Sequence, residues 1–262
     1  QDANYYLSDD LLDVLKEGEE KETTAVGKNV FEQLIKNAEI AADEKMPVCQ
    51  DTGFTVVFVE IGNEVKINGD LKQAINKGVR KGYQEGYLRK SIVKSPIDRE
   101  NTNDNTPAVI HTEIVPGDKL RLVVAPKGGG SENMSKIKML KPAAGIEGIK
   151  DFVVETISEA GANPCPPLVV GVGLGGTFEK AALLSKKALI RDIDDMHQDE
   201  KIAQMETELL EAINDLGIGP QGLGGSYTAL AVKIETFPCH IASLPVAVNI
   251  NCHAARHKEV IL

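Results

Sequence analysis

Apolar positions recur at helical spacing between residues 22 and 42, where Val26, Val30, Leu34, Ala38 and Ala41 alternate with charged residues. This pattern predicts an amphipathic helix. A Pro- and Gly-bounded turn, MPVCQDTG, leads into the strand-like run FTVVFVEI. Leu71, Ile75 and Val79 predict a second helix running on towards Arg89, and SPIDRENTNDNTP, dense in turn formers, reads as a loop. AVIHTEIV and LRLVVAP flank the turn PGDK, which predicts a hairpin emptying into KGGGSENMSK, the first of three glycine-rich loops. A helix from about Gly145 to Ala160 closes at Gly161, before NPCPP. PLVVGVGLGGT reads as a strand entering the second glycine loop, and the helix FEKAALLSKKALI follows. Ala203, Leu209, Leu210, Ile213 and Leu216 mark a long helix closed by Gly217. The third glycine loop, GIGPQGLGGS, precedes the strand ALAVKIET, and LPVAVNINCHAAR with a short charged tail completes the chain. No repeat, linker or low-complexity segment divides it. The expected fold is α+β, a single domain over residues 1–262, with mixed β-sheets flanked by helices and the glycine loops gathered at one face.

Composition narrows the function. The 262 residues are 42% apolar and 26% charged, enough to bury a sizeable core. No apolar run approaches the roughly 20 residues of a membrane span, and the acidic start QDANYYLSDDLLDVL lacks a signal-peptide pattern. The expectation is a cytoplasmic protein. A net charge of −10 argues against nucleic acid or an anionic membrane as partner. An anionic substrate would need local cations. With no Trp and 4% aromatics, there is little with which to stack bases.

The four cysteines, Cys49, Cys165, Cys239 and Cys252, form no CxxC pair. Cys49 (PVCQDTG), Cys165 (NPCPP) and Cys252 (NINCHA) each sit in a constrained or polar turn. Two readings stay open: three unrelated loop thiols, or a three-cysteine iron–sulfur site whose fourth iron is an open Lewis acid. GVGLGG matches G-x-G-x-x-G through Gly171, Gly173 and Gly176, with Asp192 or Asp194 about 20 residues on, so a nucleotide-binding domain is a further alternative. KGGG offers consecutive amides beside Lys127, suited to an anion. Among the histidines, His111 reads as a strand residue, His197 as part of a solvated helix face, and His253 and His257 as exposed tail residues. His240, in FPCHIASLP, is the better acid–base candidate because it lies in a loop. Its neighbour Cys239 suggests a Cys–His pair, although adjacent side chains usually point apart. Arg89 either caps a helix dipole or binds an anion.

In order along the chain, PVCQDTG, YLRKSIV, DNTPAVIHTEIVPGD, APKGGGSENMS, ANPCPP, GVGLGGT, QGLGGS and NCHAAR resemble the α subunit of the two-subunit class I fumarases. These are oxygen-sensitive iron–sulfur hydro-lyases, and the family includes L-tartrate dehydratase. The resemblance implies that Cys49, Cys165 and Cys252 hold a [4Fe–4S] cluster, whereas Cys239 matches no ligand position. It places Gln50 and Asp51 in the substrate site, Arg89 on a substrate carboxylate, and Gly129 and Gly130 in an amide-donating loop. It puts His240 near the chemistry, with Asp51 and His240 as the catalytic pair. The implied reaction is fumarate hydration to L-malate, with dehydration of L-tartrate or a related dicarboxylate as the alternative. Single-chain relatives carry a further domain that supplies a catalytic threonine, arginines and a lysine. A separate β subunit is therefore expected, in an α2β2-type assembly, and the isolated chain should hold a cluster yet show little activity.

Overall fold

The computed structural model describes residues 1–262. Its helices are α1 (Asp2–Tyr5), α2 (Asp9–Lys21), α3 (Ala25–Glu44), α4 (Leu71–Glu85), α5 (Gly129–Glu132), α6 (Gly145–Ala160), α7 (Phe178–Ala188) and α8 (Glu200–Asn214). Its strands are β1 (Phe54–Gly62), β2 (Val109–Val115), β3 (Leu120–Lys127), β4 (Lys136–Leu140), β5 (Leu168–Gly175), β6 (Ala229–Phe237), β7 (Leu244–Asn251) and β8 (Lys258–Ile261). The fold is α+β, with two mixed four-stranded sheets.

The chain divides into two compact units, each made of segments that alternate along the sequence. Unit 1 comprises Gln1–Leu7, Ala38–Gly129 and Arg256–Leu262; unit 2 comprises Ser8–Asn37 and Gly130–Ala255. No linker marks the division because it does not follow the sequence. The units are interleaved.

Unit 1 is built on the sheet β2-β1-β3-β8. β1 runs parallel to β2 and antiparallel to β3, and β3 pairs antiparallel with β8. The expected hairpin is therefore absent. β2 and β3 flank the intended turn, but β1 lies between them, because its nearly continuous buried run needs neighbours on both edges. The PGDK turn instead caps the end of β1. Asn63 N–H donates to Val115 O at 2.8 Å, and Glu64 N–H donates to Gly117 O at 2.9 Å. Val57 and Val59 pack under Leu71, Ile75 and Val79 of α4. That helix starts at Asp70, whose carboxylate caps Gln73 N–H at 2.9 Å. It ends at Glu85, so Arg89 lies beyond the helix and does not cap its dipole. The supposed charged tail is strand β8, whose pairing partner lies too far away in sequence for a local pattern to show.

Unit 2 has three layers around the sheet β4-β7-β5-β6. All eight residues of β5 are buried, and their alternation sorts the two faces. Leu168, Val170, Val172 and Leu174 join Phe152, Val153 and Ile157 of α6 and Leu209 and Ile213 of α8 in the main core. Gly171 and Gly173 face α7. A methyl at Gly171 would sit 2.2 Å from Ser185 O, and one at Gly173 2.1 Å from Ala181 O. These glycines let the α7 backbone rest directly on the strand, so the GVGLGG motif has a packing role here. DIDDMHQDE is a loop leading to α8, and His197 accepts Asp199 N–H there rather than lining a helix face.

Candidate functional site

In unit 1 the site is the loop Cys49–Gly53, between α3 and β1. Asp51 N–H points at Cys49 Sγ at 3.4 Å, a donor suited to thiolate charge. The Asp51 carboxylate accepts Gly53 N–H at 3.0 Å and Gly129 N–H at 2.7 Å. The first glycine loop thus has one amide engaged by a carboxylate of the chain itself. Beneath the loop lies a buried polar frame. The Tyr83 hydroxyl proton is shared between Thr52 O (2.8 Å) and Gly53 O (2.9 Å), and Asn105 Nδ2 donates to Gly53 O at 3.1 Å. Burial pushes the Tyr83 hydroxyl above its ordinary value, which keeps it a donor. Arg256, 6% exposed, donates to Asp51 O at 2.7 Å and to Asn4 Oδ1 at 3.2 Å. Thr52 Oγ1 donates to Arg89 O at 3.0 Å, placing the Arg89 segment beside the loop with its side chain exposed. Gln50 is exposed next to Cys49. Cys49, Gln50, Asp51, Arg89 and Gly129 thus belong to one neighbourhood.

In unit 2 two thiols come to one end of the sheet. Cys165 precedes β5, Cys252 follows β7, and Val169 pairs with Asn251 where those strand ends meet. His253 N–H donates to Cys165 O at 3.4 Å. Cys165 is exposed and adopts a left-handed backbone (φ 59°), and Cys252 is half-buried. Gln221, also left-handed at φ 53°, closes the arrangement. Its N–H and its Nε2 both donate to Pro166 O, at 2.8 and 2.7 Å, and Nε2 lies 3.2 Å from His253 Nδ1. Neither unit by itself gathers three His, Cys, Asp or Glu side chains into a metal cage. Gly130 opens the segment whose Glu132 accepts from Lys186 Nζ (2.6 Å) and Asn249 Nδ2 (2.9 Å).

His240 and Cys239 are elsewhere. Their exposed turn joins the end of β6 to the start of β7, opposite the end that bears Cys165 and Cys252. The eight residues of β5 separate those ends by roughly 26 Å. The His240 ring accepts Ala242 N–H at 3.1 Å, and Cys239 Sγ donates to Ser243 O, so the two side chains engage different partners. The second and third glycine loops likewise occupy opposite ends of this sheet, the third beside Cys165. Amides of the third loop are filled from within. Glu22, 1% exposed, accepts Ser226 N–H at 2.9 Å, Tyr227 N–H at 3.2 Å and Thr24 N–H at 2.8 Å.

Sequence reasoning missed Tyr83, Asn105, Arg256, Gln221 and Glu22, all of which hold these loops. Asn105, Arg256 and Gln221 lie inside the DNTPAVIHTEIVPGD, NCHAAR and QGLGGS motifs, which is the one signal that could have found them.

Comparison with known proteins agrees with this arrangement of motifs. Residues 1–261 match the model of the family described as fumarate hydratase (Fumerase). A protein of Methanocaldococcus jannaschii named putative L(+)-tartrate dehydratase subunit alpha is 46% identical over 98% of this chain and 92% of its own length. The L(+)-tartrate dehydratase subunit alpha of Escherichia coli O157:H7 is 36% identical over 98% of this chain and 86% of its own. That of Escherichia coli K12 is likewise 36% identical over the same shares. The chain belongs to the fumarate hydratase (Fumerase) family of hydro-lyases.

Proposed function

We propose that the chain is the α subunit of an iron–sulfur hydro-lyase acting on a small dicarboxylate, with L(+)-tartrate preferred to fumarate. The observation that carries this reading is the 46% identity, over nearly the whole chain, to a relative named for tartrate dehydration. It favours the alternative substrate over the fumarate hydration expected from the motifs. The donor set supports the cofactor: two accessible thiols share one sheet end, and soft thiolates select iron–sulfur centres. Cys165 and Cys252 are the proposed ligands there. Cys49 is proposed as the third, from its PVCQDTG motif and from the amide aimed at its sulfur. When bound, a [4Fe–4S] cluster with one open iron would supply Lewis acidity towards a substrate hydroxyl and carboxylate.

The chain's own residues do the rest. Dehydrating a 2,3-dihydroxy diacid removes one hydroxyl and the proton on the adjacent carbon, and both carboxylates must be held meanwhile. Asp51, with its carboxylate fixed by two amides, is the proposed proton-transfer group on this chain. Arg89 offers a planar, exposed fork for one substrate carboxylate, and Gln50, Gly129 and Gly130 are the further proposed substrate-binding residues. His240 lies too far along β5 to act on a ligand held at Cys165 and Cys252 of its own chain, so this reading gives it no step there. A β subunit completes the machinery in a heteromeric assembly, and free thiolate chemistry implies a reducing, cytoplasmic setting. No helix is long and apolar enough to cross a membrane.

The test is a steady-state assay of the anaerobically reconstituted αβ complex with L(+)-tartrate, fumarate and L-malate. The expected result is a kcat/KM for L(+)-tartrate above those for the other two. A preference for fumarate would return the substrate to the family's name, and inactivity with all three would remove the hydro-lyase reading.

A further inference from the structure

Gln221 is assigned no part in the chemistry above, yet its side chain touches both thiol-bearing segments of unit 2, which also meet directly through His253 N–H and Cys165 O. Its backbone N–H and its side-chain Nε2 converge on the single carbonyl oxygen of Pro166, the residue after Cys165, at 2.8 and 2.7 Å. The same Nε2 lies 3.2 Å from Nδ1 of His253, the residue after Cys252. His253 Nδ1 in turn lies 3.3 Å from Cys165 O. Donors from one residue therefore reach the neighbours of both cysteines. This needs Gln221 at φ 53°, a region that β-carbon-bearing residues rarely occupy and glycine adopts freely. A glutamine held there against its backbone preference, between Pro220 and Gly222, points to a use for its side chain.

We propose that Gln221 is a positioning residue that sets the Cys165 and Cys252 thiols in place before any metal arrives. The proposal rests on the reading of these thiols as cluster ligands. It deepens that reading by naming what pre-organises them, as outer-shell partners do for metal ligands generally.

The informative variant is Gln221→Gly. Glycine suits the left-handed backbone and keeps the N–H bond to Pro166, so only the side-chain bridge is lost. Gln221→Glu, similar in size but without the Nε2 donor, is the second variant. Cobalt(II) is titrated into the metal-free full-length protein and followed by thiolate-to-cobalt charge-transfer absorbance, alongside thermal unfolding. Cys165→Ser and Cys252→Ser serve as reference variants. The expected result is wild-type absorbance that both serine variants weaken. Both Gln221 variants should then lose about tenfold or more in cobalt affinity, the worth of one or two hydrogen bonds, with a melting temperature near wild type. Wild-type affinity in Gln221→Gly and Gln221→Glu would overturn the positioning role while leaving the cluster reading intact. Absence of any charge-transfer band in the wild-type protein, or a band unaffected by either serine variant, would overturn both.

Discussion

Asp51 binds two backbone amides through one carboxylate, from Gly53 and from Gly129, and this doubles as a constraint on its chemistry. Asp51→Asn would turn an NH2 group towards one of those donors and remove the proton acceptor. The expected effect is a fall in kcat of about 10²–10⁴ with a smaller change in KM, read by steady-state kinetics of the αβ complex. Unchanged kcat would take Asp51 out of the reaction. Arg89→Lys keeps the charge but loses the fork, and since Arg89 lies past the end of α4 no helix cap is lost with it. About 10- to 150-fold in kcat/KM should go, at unchanged melting temperature. Glu22 behaves differently. Its burial alone would raise the carboxyl, but hydrogen bonds from Thr24, Ser226 and Thr23 outweigh that and hold it below the ordinary carboxylate range. A depressed folded value means that its stabilisation is complete above the unfolded carboxylate range and is lost as the pH falls through the folded value. Glu22→Gln should therefore cost about 2–4 kcal/mol at neutral pH, and urea unfolding in acid should show a narrower gap from wild type. An equal gap at both pH values would contradict this. At this scale the sequence displays the residues proposed to face a ligand, because their types and turns are distinctive. Some of the residues that hold them are silent: Tyr83 sits at an ordinary position on α4, and only its distant partners in the 52–55 segment give it meaning.

The helices and buried strands are legible because hydrophobic period alone specifies them. α6 runs from Gly145 to Ala160 as its pattern predicts, and Gly161 ends it at φ 54°. Pairing is not legible in the same way. The β2–β3 hairpin fails because turn chemistry reports a reversal of direction without reporting which strand enters the gap, and β1 does so. Glycines show the same limit, since identical letters carry opposite meanings. Gly173→Ala should destabilise by about 1–3 kcal/mol, because its methyl would meet the α7 backbone. Gly78→Ala, in the middle of α4 with nothing within 4 Å, should stabilise by about 1 kcal/mol through helix propensity. Melting temperatures of the two variants would settle the contrast, and shifts of the same sign would refute it.

On the scale of the molecule, class and family are legible from ordered motifs, whereas the division into two units is not, because the boundary cuts across the chain. Unit 1 recruits the last seven residues: β8 completes its sheet, and Arg256 fastens the Asp51 carbonyl. A chain lacking residues 256–262 should lose hydrogen-exchange protection in β1 and β3 while β5 to β7 of unit 2 keep theirs. Uniform loss, or none, would contradict the division. The arrangement also has a bearing on synthesis. The arginine that fastens the Cys49–Gly53 loop follows it by some two hundred residues, roughly 10–40 s at ordinary elongation rates. Until that segment has been made, β3 lacks its β8 neighbour and the Asp51 carbonyl lacks its donor, so the loop that carries the first thiol takes its final form only after residues 256–261 have been added.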